Sequence, residues 1–334
     1  MQENYHKFAR DLADIIDDDR IITDPLRTLA FGTDASFYRL IPQIVVTVIN
    51  EVEVQAILSL AHQHGVHLTF RAAGTSLSGQ AVTDGVLVRL GNGWNQAQVL
   101  NGGAQLKVEP GVIGARANQI LAPYARKIGP DPASINACKI GGIVANNASG
   151  MCCGTAQNTY QTLASMRIIL ADGTLLDTGD ENSRAAFRQS HARMLQKIAD
   201  LRTKVMDNPA LRERIVNKFR IKNTTGYSLN ALVDFSDPID IMQHVLVGSE
   251  GTLGFVSGVV YHTVEEHAHK ASALLIFANI EQTSRAVTAL SHAPVAAVEL
   301  MDRAGLRSVE NKPGMPEYLK TLNDEAAALL VEVR

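Results

Sequence analysis

Between residues 44 and 80 the chain builds one structural unit and then breaks its texture. IVVTVI (Ile44–Ile49) is a short β-branched run that reads as a buried strand. Asn50 follows, with Glu53 three residues on and then apolar Val54, Ile57, Leu58 and Ala61. That is a capping-box start to a helical stripe, and Gly65 sits where a C′ glycine belongs. Val66–Phe70 reads as a second strand, so the stretch is a βαβ unit with parallel strands. What comes next, RAAGTSLSGQ (Arg71–Gln80), is small and hydroxylated. Glycines without Cβ atoms let backbone N–H groups converge, and Ser and Thr add donors, so such a loop suits an anion.

Two common owners of such a loop are disfavoured. A P-loop needs a lysine after its second glycine, and here Gly74 and Gly79 have the spacing but Gln80 takes the lysine position. A Rossmann fingerprint opens a helix, whereas Val86–Leu90 is a short apolar run that reads as another strand. Alone, the loop fits an anion site or an ordinary Gly/Ser connection. A second cluster shifts the balance: IGPDPAS (Ile128–Ser134), then KIGGIVANNASGMCCGT (Lys139–Thr155). Two separate Gly/hydroxyl segments suggest a long ligand held from both sides, such as a dinucleotide with a central diphosphate. A third segment, VGSEGTLGFVS (Val247–Ser257), sets Glu250 between glycines as an acceptor for a ribose hydroxyl or an amino group.

Elsewhere the pattern predicts helices over residues 3–19, 112–127 and 182–206. Hairpins are expected at Asn101-Gly102 and Asp172-Gly173, and a strand over 252–264. Near residue 265 the texture changes to a charged connector, EEHAHK, followed by a strand–helix–strand–helix pattern and the apolar run AAALLVEVR. Because the chain stops inside that run, the expectation is a piece of a longer protein.

A net charge of −3 with no basic run gives no footprint for nucleic acid. The start lacks a basic, then apolar, leader, and no apolar run approaches the roughly 20 residues of a membrane span. Cys138, Cys152 and Cys153 suit neither a disulfide framework nor C-x₂-C ligation, which points to reduced thiols in the cytoplasm. His62, His64 and His67 straddle a helix end and a strand, so they read as solvated side chains; no metal site is expected.

Taken in order, R-A-A-G-T-S-L-S-G, P-D-P-A-S, G-G-I-V-A-N-N-A-S-G, K-N-T-T-G-Y and G-S-E-G-T-L-G resemble the FAD-binding domain of PCMH-type, vanillyl-alcohol-oxidase-like flavoproteins. More narrowly they are similar to the D-lactate, glycolate and D-2-hydroxyglutarate dehydrogenase branch. The run N-N-A-S-G-M-C-C-G-T most resembles the large bacterial D-lactate dehydrogenases with a C-terminal iron–sulfur region. The resemblance implies an α+β fold: a PCMH-type FAD-binding domain over 1–265, made of two α+β subdomains (20–92 and 93–265, in round terms). The beginning of an α+β, ferredoxin-like cap would follow over 266–334.

It also implies site residues. Arg71, Ala73, Gly74, Thr75, Ser76, Ser78 and Gly79 would wrap the FAD diphosphate, with Leu77 and Gln80 in the same loop. Pro130, Asp131, Ser134, Gly141, Gly142, Ser149 and Gly150 would line the other side of the flavin, together with Asn146 and Gly154. Glu250, Gly251 and Val256 belong to the segment that closes over the cofactor. Thr75 stands where covalent relatives carry histidine, so the FAD should be noncovalent. The implied reaction oxidises a D-2-hydroxy acid, D-lactate first among them, to the 2-oxo acid, and electrons pass to an iron–sulfur region, quinone or cytochrome. Lys222 and Arg303 are the candidates for the substrate carboxylate; the catalytic base and any iron–sulfur clusters would lie beyond this chain, leaving it poorly active alone. Peripheral attachment of the full-length protein to the inner membrane fits the same resemblance. The alternatives are another PCMH-type oxidoreductase (glycolate or 2-hydroxyglutarate dehydrogenase, alditol oxidase, a cell-wall precursor reductase) or a non-catalytic electron-relay flavoprotein.

Overall fold

The structure, a computed structural model, describes residues 2–334. It falls into two compact units, one ending at Val264 and the other spanning Glu265–Arg334.

The first unit holds two sheets. One contains β1 (Ile21–Ile22), β2 (Ile44–Val48), β3 (Leu68–Arg71) and β4 (Val86–Leu90) in the order β1-β2-β4-β3. The two strands of the βαβ unit are thus parallel but not adjacent, because β4 inserts between them and pairs in parallel with both. The connecting helix, Glu51–His64, begins and ends as its sequence requires. Asn50 Oδ1 accepts from the Glu53 amide at 2.9 Å, Glu53 Oε2 accepts from the Ile49 amide at 2.8 Å, and Gly65 closes the helix at φ 61°. Its apolar face joins Ile44, Val46, Val86 and Val88 with Phe8 and Leu12 of the N-terminal helix in one core.

That N-terminal helix, Glu3–Leu12, is shorter than expected. The chain turns after Leu12, which tucks Ile16 into the core and frees Asp17 to meet Arg20 at 3.0 Å. Arg20 also pairs with the buried Glu53 at 2.8 Å. The histidines diverge, as their spacing suggests, but His64 is not solvated: it is mostly buried and bonds Asp11 at 2.8 Å. His67 meets Asp84 at 3.0 Å and the Tyr5 hydroxyl at 3.1 Å.

The second sheet runs β5-β6-β10-β8-β9, with β7 also paired to β10. These are β5 (Ala97–Leu100), β6 (Gln105–Val108), β7 (Arg126–Ile128), β8 (Leu163–Ile169), β9 (Leu175–Asp177) and β10 (Phe255–Glu265). Both expected hairpins are present, with Gly102 at φ 62° and Gly173 at φ 82°. Two helical readings need correction. Over 112–127 the helix covers only Gly114–Leu121; Pro123 cannot continue it, and the chain enters β7. Over 182–206 two helices, Glu181–Ser190 and Ala192–Met206, break at His191, whose ring stacks on Phe187 at 4.3 Å and bonds Asp172 at 2.9 Å. Helices cover one face of this sheet and enclose the larger core, from Leu106 and Val108 to Ile239 and Tyr261.

The second unit is a three-stranded antiparallel sheet, β11 (Ala271–Phe277), β13 (Ala327–Val333) and β12 (Ala297–Met301) in that order. Helices Ile280–Leu290 and Arg303–Val309 accompany it, and Leu306, Leu319 and Ala328 form its core. Helices and strands are mixed, and apart from the parallel β2-β4-β3 group, neighbours such as β6-β10-β8 and β11-β13-β12 pair antiparallel, an α+β chain. No helix among the described residues is long and apolar enough to cross a membrane.

Candidate cofactor cleft

A cleft of about 410 Å³ opens in the first unit, between the C-terminal end of β3, the segment 132–149 and the loop 249–256. That volume lies within the range for small-molecule sites.

The first wall is the loop after β3. Arg71 shapes it from inside: the guanidinium is buried, and donates to the Ala81 carbonyl at 2.8 Å through Nε and to the Phe31 carbonyl at 3.0 Å through Nη2. Burial lowers its pKa from the ordinary arginine value, and Asp34 acts in the opposite direction. Gly74 takes φ 70° and Gly79 φ 79°. The Gly74 carbonyl accepts from the Ala35 amide at 3.0 Å, while the amides of Gly74, Thr75, Ser76 and Leu77 find no acceptor in the protein among the described residues.

The second wall is held by the opposite polarity. Asp131 collects the amides of Gly150 (2.8 Å), Cys152 (3.2 Å) and Cys153 (3.2 Å). Gly150 fits because any Cβ there would sit 1.9 Å from the Asp131 carbonyl oxygen. The amides of Ile140 and Gly141 are likewise taken, by the carbonyls of Val112 and Pro110, both at 2.9 Å. This wall therefore offers side chains to the cleft, Lys139, Asn146 and Ser149 among them. Ser149 Oγ is buried with no partner.

The third side is Ser249–Val256. Glu250 adopts φ 54°, its amide bonds the Ala145 carbonyl at 2.8 Å, and its Oε1 accepts from Asn146 at 2.6 Å. Burial raises its carboxyl pKa above the ordinary value, against the Asn146 bond. Phe70 and Phe255 form an aromatic side to the cleft with ring centroids 5.0 Å apart, and Trp94 backs Phe255 at 5.2 Å.

The structure brings most of the expected residues to this cleft: Arg71, Ala73–Ser78, Gln80, Ser134, Gly141, Gly142, Asn146, Ser149, Glu250, Gly251 and Val256. Gly79, Pro130, Asp131, Gly150 and Gly154 are not on its surface. Gly79 packs instead beneath Tyr38, and Asp131 and Gly150 form the clamp behind the wall. Lys222 reaches the cleft, its Nζ donating to the Ser149 carbonyl at 2.6 Å. Arg303 lies in the second unit, nearly buried and paired with Glu310 at 3.0 Å. Sequence reasoning passed over Phe70, Phe255, Pro110, Cys138 and Lys139. Of these, Lys139 left a trace, a lone cation directly before the apolar helix Ile140–Asn146.

The cleft suits a dinucleotide on three counts. Unpaired amides on one wall and an orphaned hydroxyl on the other offer hydrogen bonds to an elongated polar ligand, and the aromatic side offers a flat surface to a ring system. The comparisons agree. The FAD binding domain family matches residues 42–179, and the C-terminal domain of FAD linked oxidases matches 266–334. The chain is 28% identical to D-2-hydroxyglutarate dehydrogenase of Escherichia coli, over 69% of this chain and 23% of that protein. It is 30% identical to glycolate oxidase subunit GlcD of the same organism, over 59% of this chain and 41% of that one. Among solved structures, an alkyldihydroxyacetonephosphate synthase shares the fold with a TM-score of 0.66 at 15% identity, over 98% of this chain and 56% of that one. With these two domains the chain belongs to the PCMH-type FAD flavoproteins, and the relatives it resembles are named for 2-hydroxy acids. It spans less than half of the D-2-hydroxyglutarate dehydrogenases it matches, from 24% of that of Haemophilus influenzae to 43% of that of Stutzerimonas stutzeri.

Proposed function

We propose that this chain is the flavin-binding part of an enzyme that oxidises a D-2-hydroxy acid to the 2-oxo acid. The observation that carries the reading is the two-walled cleft, with unpaired amides on one side and the orphaned Ser149 hydroxyl on the other. FAD, when bound, supplies the acceptor for the hydride leaving the substrate carbon. The chain's own part is to bind and orient. The Gly74–Leu77 amides and Ser149 Oγ hold polar groups of the cofactor, and Phe70 and Phe255 exclude water from one side. Lys222 spends one ammonium proton on the Ser149 carbonyl and has two more for a substrate carboxylate. Arg303 is the weaker candidate, because Glu310 already balances its charge.

The relatives' names point to 2-hydroxyglutarate and glycolate ahead of D-lactate, which rests on the N-N-A-S-G-M-C-C-G-T run alone. Anaerobic mixing of the FAD-loaded protein with D-2-hydroxyglutarate, D-lactate and glycolate tests the reading. Slow bleaching of the flavin band by at least one of them, in keeping with poor turnover, and not by the L-enantiomers of the chiral acids, is expected; a band untouched by all three after prolonged incubation would overturn it. Thr75 cannot form a histidyl–flavin bond, so acid precipitation should release all the flavin to the supernatant. Yellow colour retained in the pellet would contradict noncovalent binding.

A further inference from the structure

The glycine-rich loops do not account for the positive charge gathered at this cleft. Arg71 and Arg89 are register partners on the neighbouring parallel strands β3 and β4, a placement of like charges that costs stability. Lys139 lines the cleft from the second wall, and the charge of Arg89 acts on both Lys139 and Arg71. Burial, with Arg89 behind it, lowers the Lys139 pKa below that of an ordinary lysine.

Counter-charge inside the protein is sparse. Arg71 spends its hydrogen bonds on the carbonyls of Ala81 and Phe31, and Arg89 lies over the Phe31 ring, 4.6 Å from its centroid. The carboxylate that acts on Arg71 is Asp34, whose Oδ1 is taken by the Ser36 amide and whose Oδ2 is buried without a partner. Among the described residues no carboxylate comes within ion-pair distance of Lys139 or Arg89. Arg71, Arg89, Lys139 and Lys222 against Asp34 and Glu250 leave a surplus of positive charge that suits the doubly charged diphosphate of a dinucleotide.

We propose that Lys139 is the cation that holds the FAD diphosphate, with Arg71 and Arg89 behind it as a fixed positive field. The lysine missing from the first loop, where Gln80 stands, is thereby supplied by the other wall. Along 140–153 the amides of Ile140, Gly141, Gly150, Cys152 and Cys153 are already taken, and Lys139 is the cation this wall brings to the cleft. The assignment rests on the FAD-binding reading of the cleft and adds the residue that neutralises the ligand's charge.

The test uses apoprotein of the whole chain, as wild type, Lys139→Met and Lys139→Arg. FAD is titrated at several salt concentrations, and ADP serves as its competitor. Met keeps the length of lysine, so loss of charge dominates. We expect Lys139→Met to weaken both FAD and ADP by roughly ten- to a hundredfold, the range for a lost charge-assisted hydrogen bond. The variant should also show a shallower salt dependence than wild type, and Lys139→Arg should recover most of the affinity. Unchanged FAD affinity in Lys139→Met overturns the proposal. So does weakened FAD binding with ADP competition unaltered, which would place the charge at the flavin ring. Should Lys139→Met not fold, Lys139→Arg and the wild-type salt slope decide: a flat slope in wild type counts against it. Wild-type apoprotein that takes up no FAD at all would instead overturn the cofactor reading itself.

Discussion

The two walls of the cleft are built by opposite means. In the first, buried Arg71 ties the carbonyls of Ala81 and Phe31 beside the loop, the Ala35 amide takes the Gly74 carbonyl, and a run of amides is left unpaired. In the second, an anion, Asp131, gathers amides, so that wall faces the cleft with side chains. A loop pinned through its carbonyls binds anions by its backbone and tolerates almost any side chain. A loop pinned through its amides depends on which side chains it carries. The first wall therefore sets the class of ligand, and the second tunes how tightly and in which charge state it is held.

The largest effect should come from breaking the second clamp. Asp131→Ala leaves three amides without their acceptor and should cost about 3 kcal/mol of stability. Thermal melts should show the loss, and the protein should purify without flavin; an unshifted melt with full flavin would refute the clamp. Arg71→Met should cost about 2 kcal/mol, since the Ala81 and Phe31 carbonyls lose their donors. Its FAD affinity should fall less than that of Asp131→Ala, because the second wall keeps its clamp and its side chains, and a titration of both variants gives the order. Gly74→Ala sharpens the same point at about 1 kcal/mol. Space is available for the methyl group, whose nearest contact would be 3.4 Å, but φ 70° is unfavourable for it. A full-strength melt in that variant would mean the loop shifts freely.

The smallest effect is a pH dependence. Burial raises the Glu250 carboxyl pKa above its unfolded value, so its contribution is complete below the ordinary carboxylate pKa and is lost as pH rises through the folded value. Apoprotein melts should therefore fall with pH across that window in wild type, and less so in Glu250→Gln. Parallel curves would show that Glu250 does not titrate there.

Much of this was legible in the chain. Asn50, Gly65 and the two Asx-Gly turns act locally, through caps and positive φ, so their reading carried directly into the structure. The three Gly-rich segments announce the cleft because each must approach a ligand or a backbone closely. What stayed hidden depends on tertiary contacts. The insertion of β4 between β2 and β3 leaves no local signature. The helix Ile140–Asn146 forms despite Gly141 and Gly142, which disfavour it, because Ile140, Ile143 and Val144 are buried in the larger core. Asp131 reads as a cleft residue in P-D-P-A-S, yet its carboxylate turns away to amides some twenty residues later. Lys139 gains its meaning only once Arg71 and Arg89 are seen beside it.

The central claim is that this cleft holds one FAD between these two walls. Trp94, the chain's single tryptophan, reports on it directly, because it packs against Phe255 on the aromatic side. Titrating apoprotein with FAD should quench Trp94 fluorescence to a plateau at one equivalent per chain, and Asp131→Ala should show no plateau in the same range. A linear decline without saturation in the wild type would contradict the account.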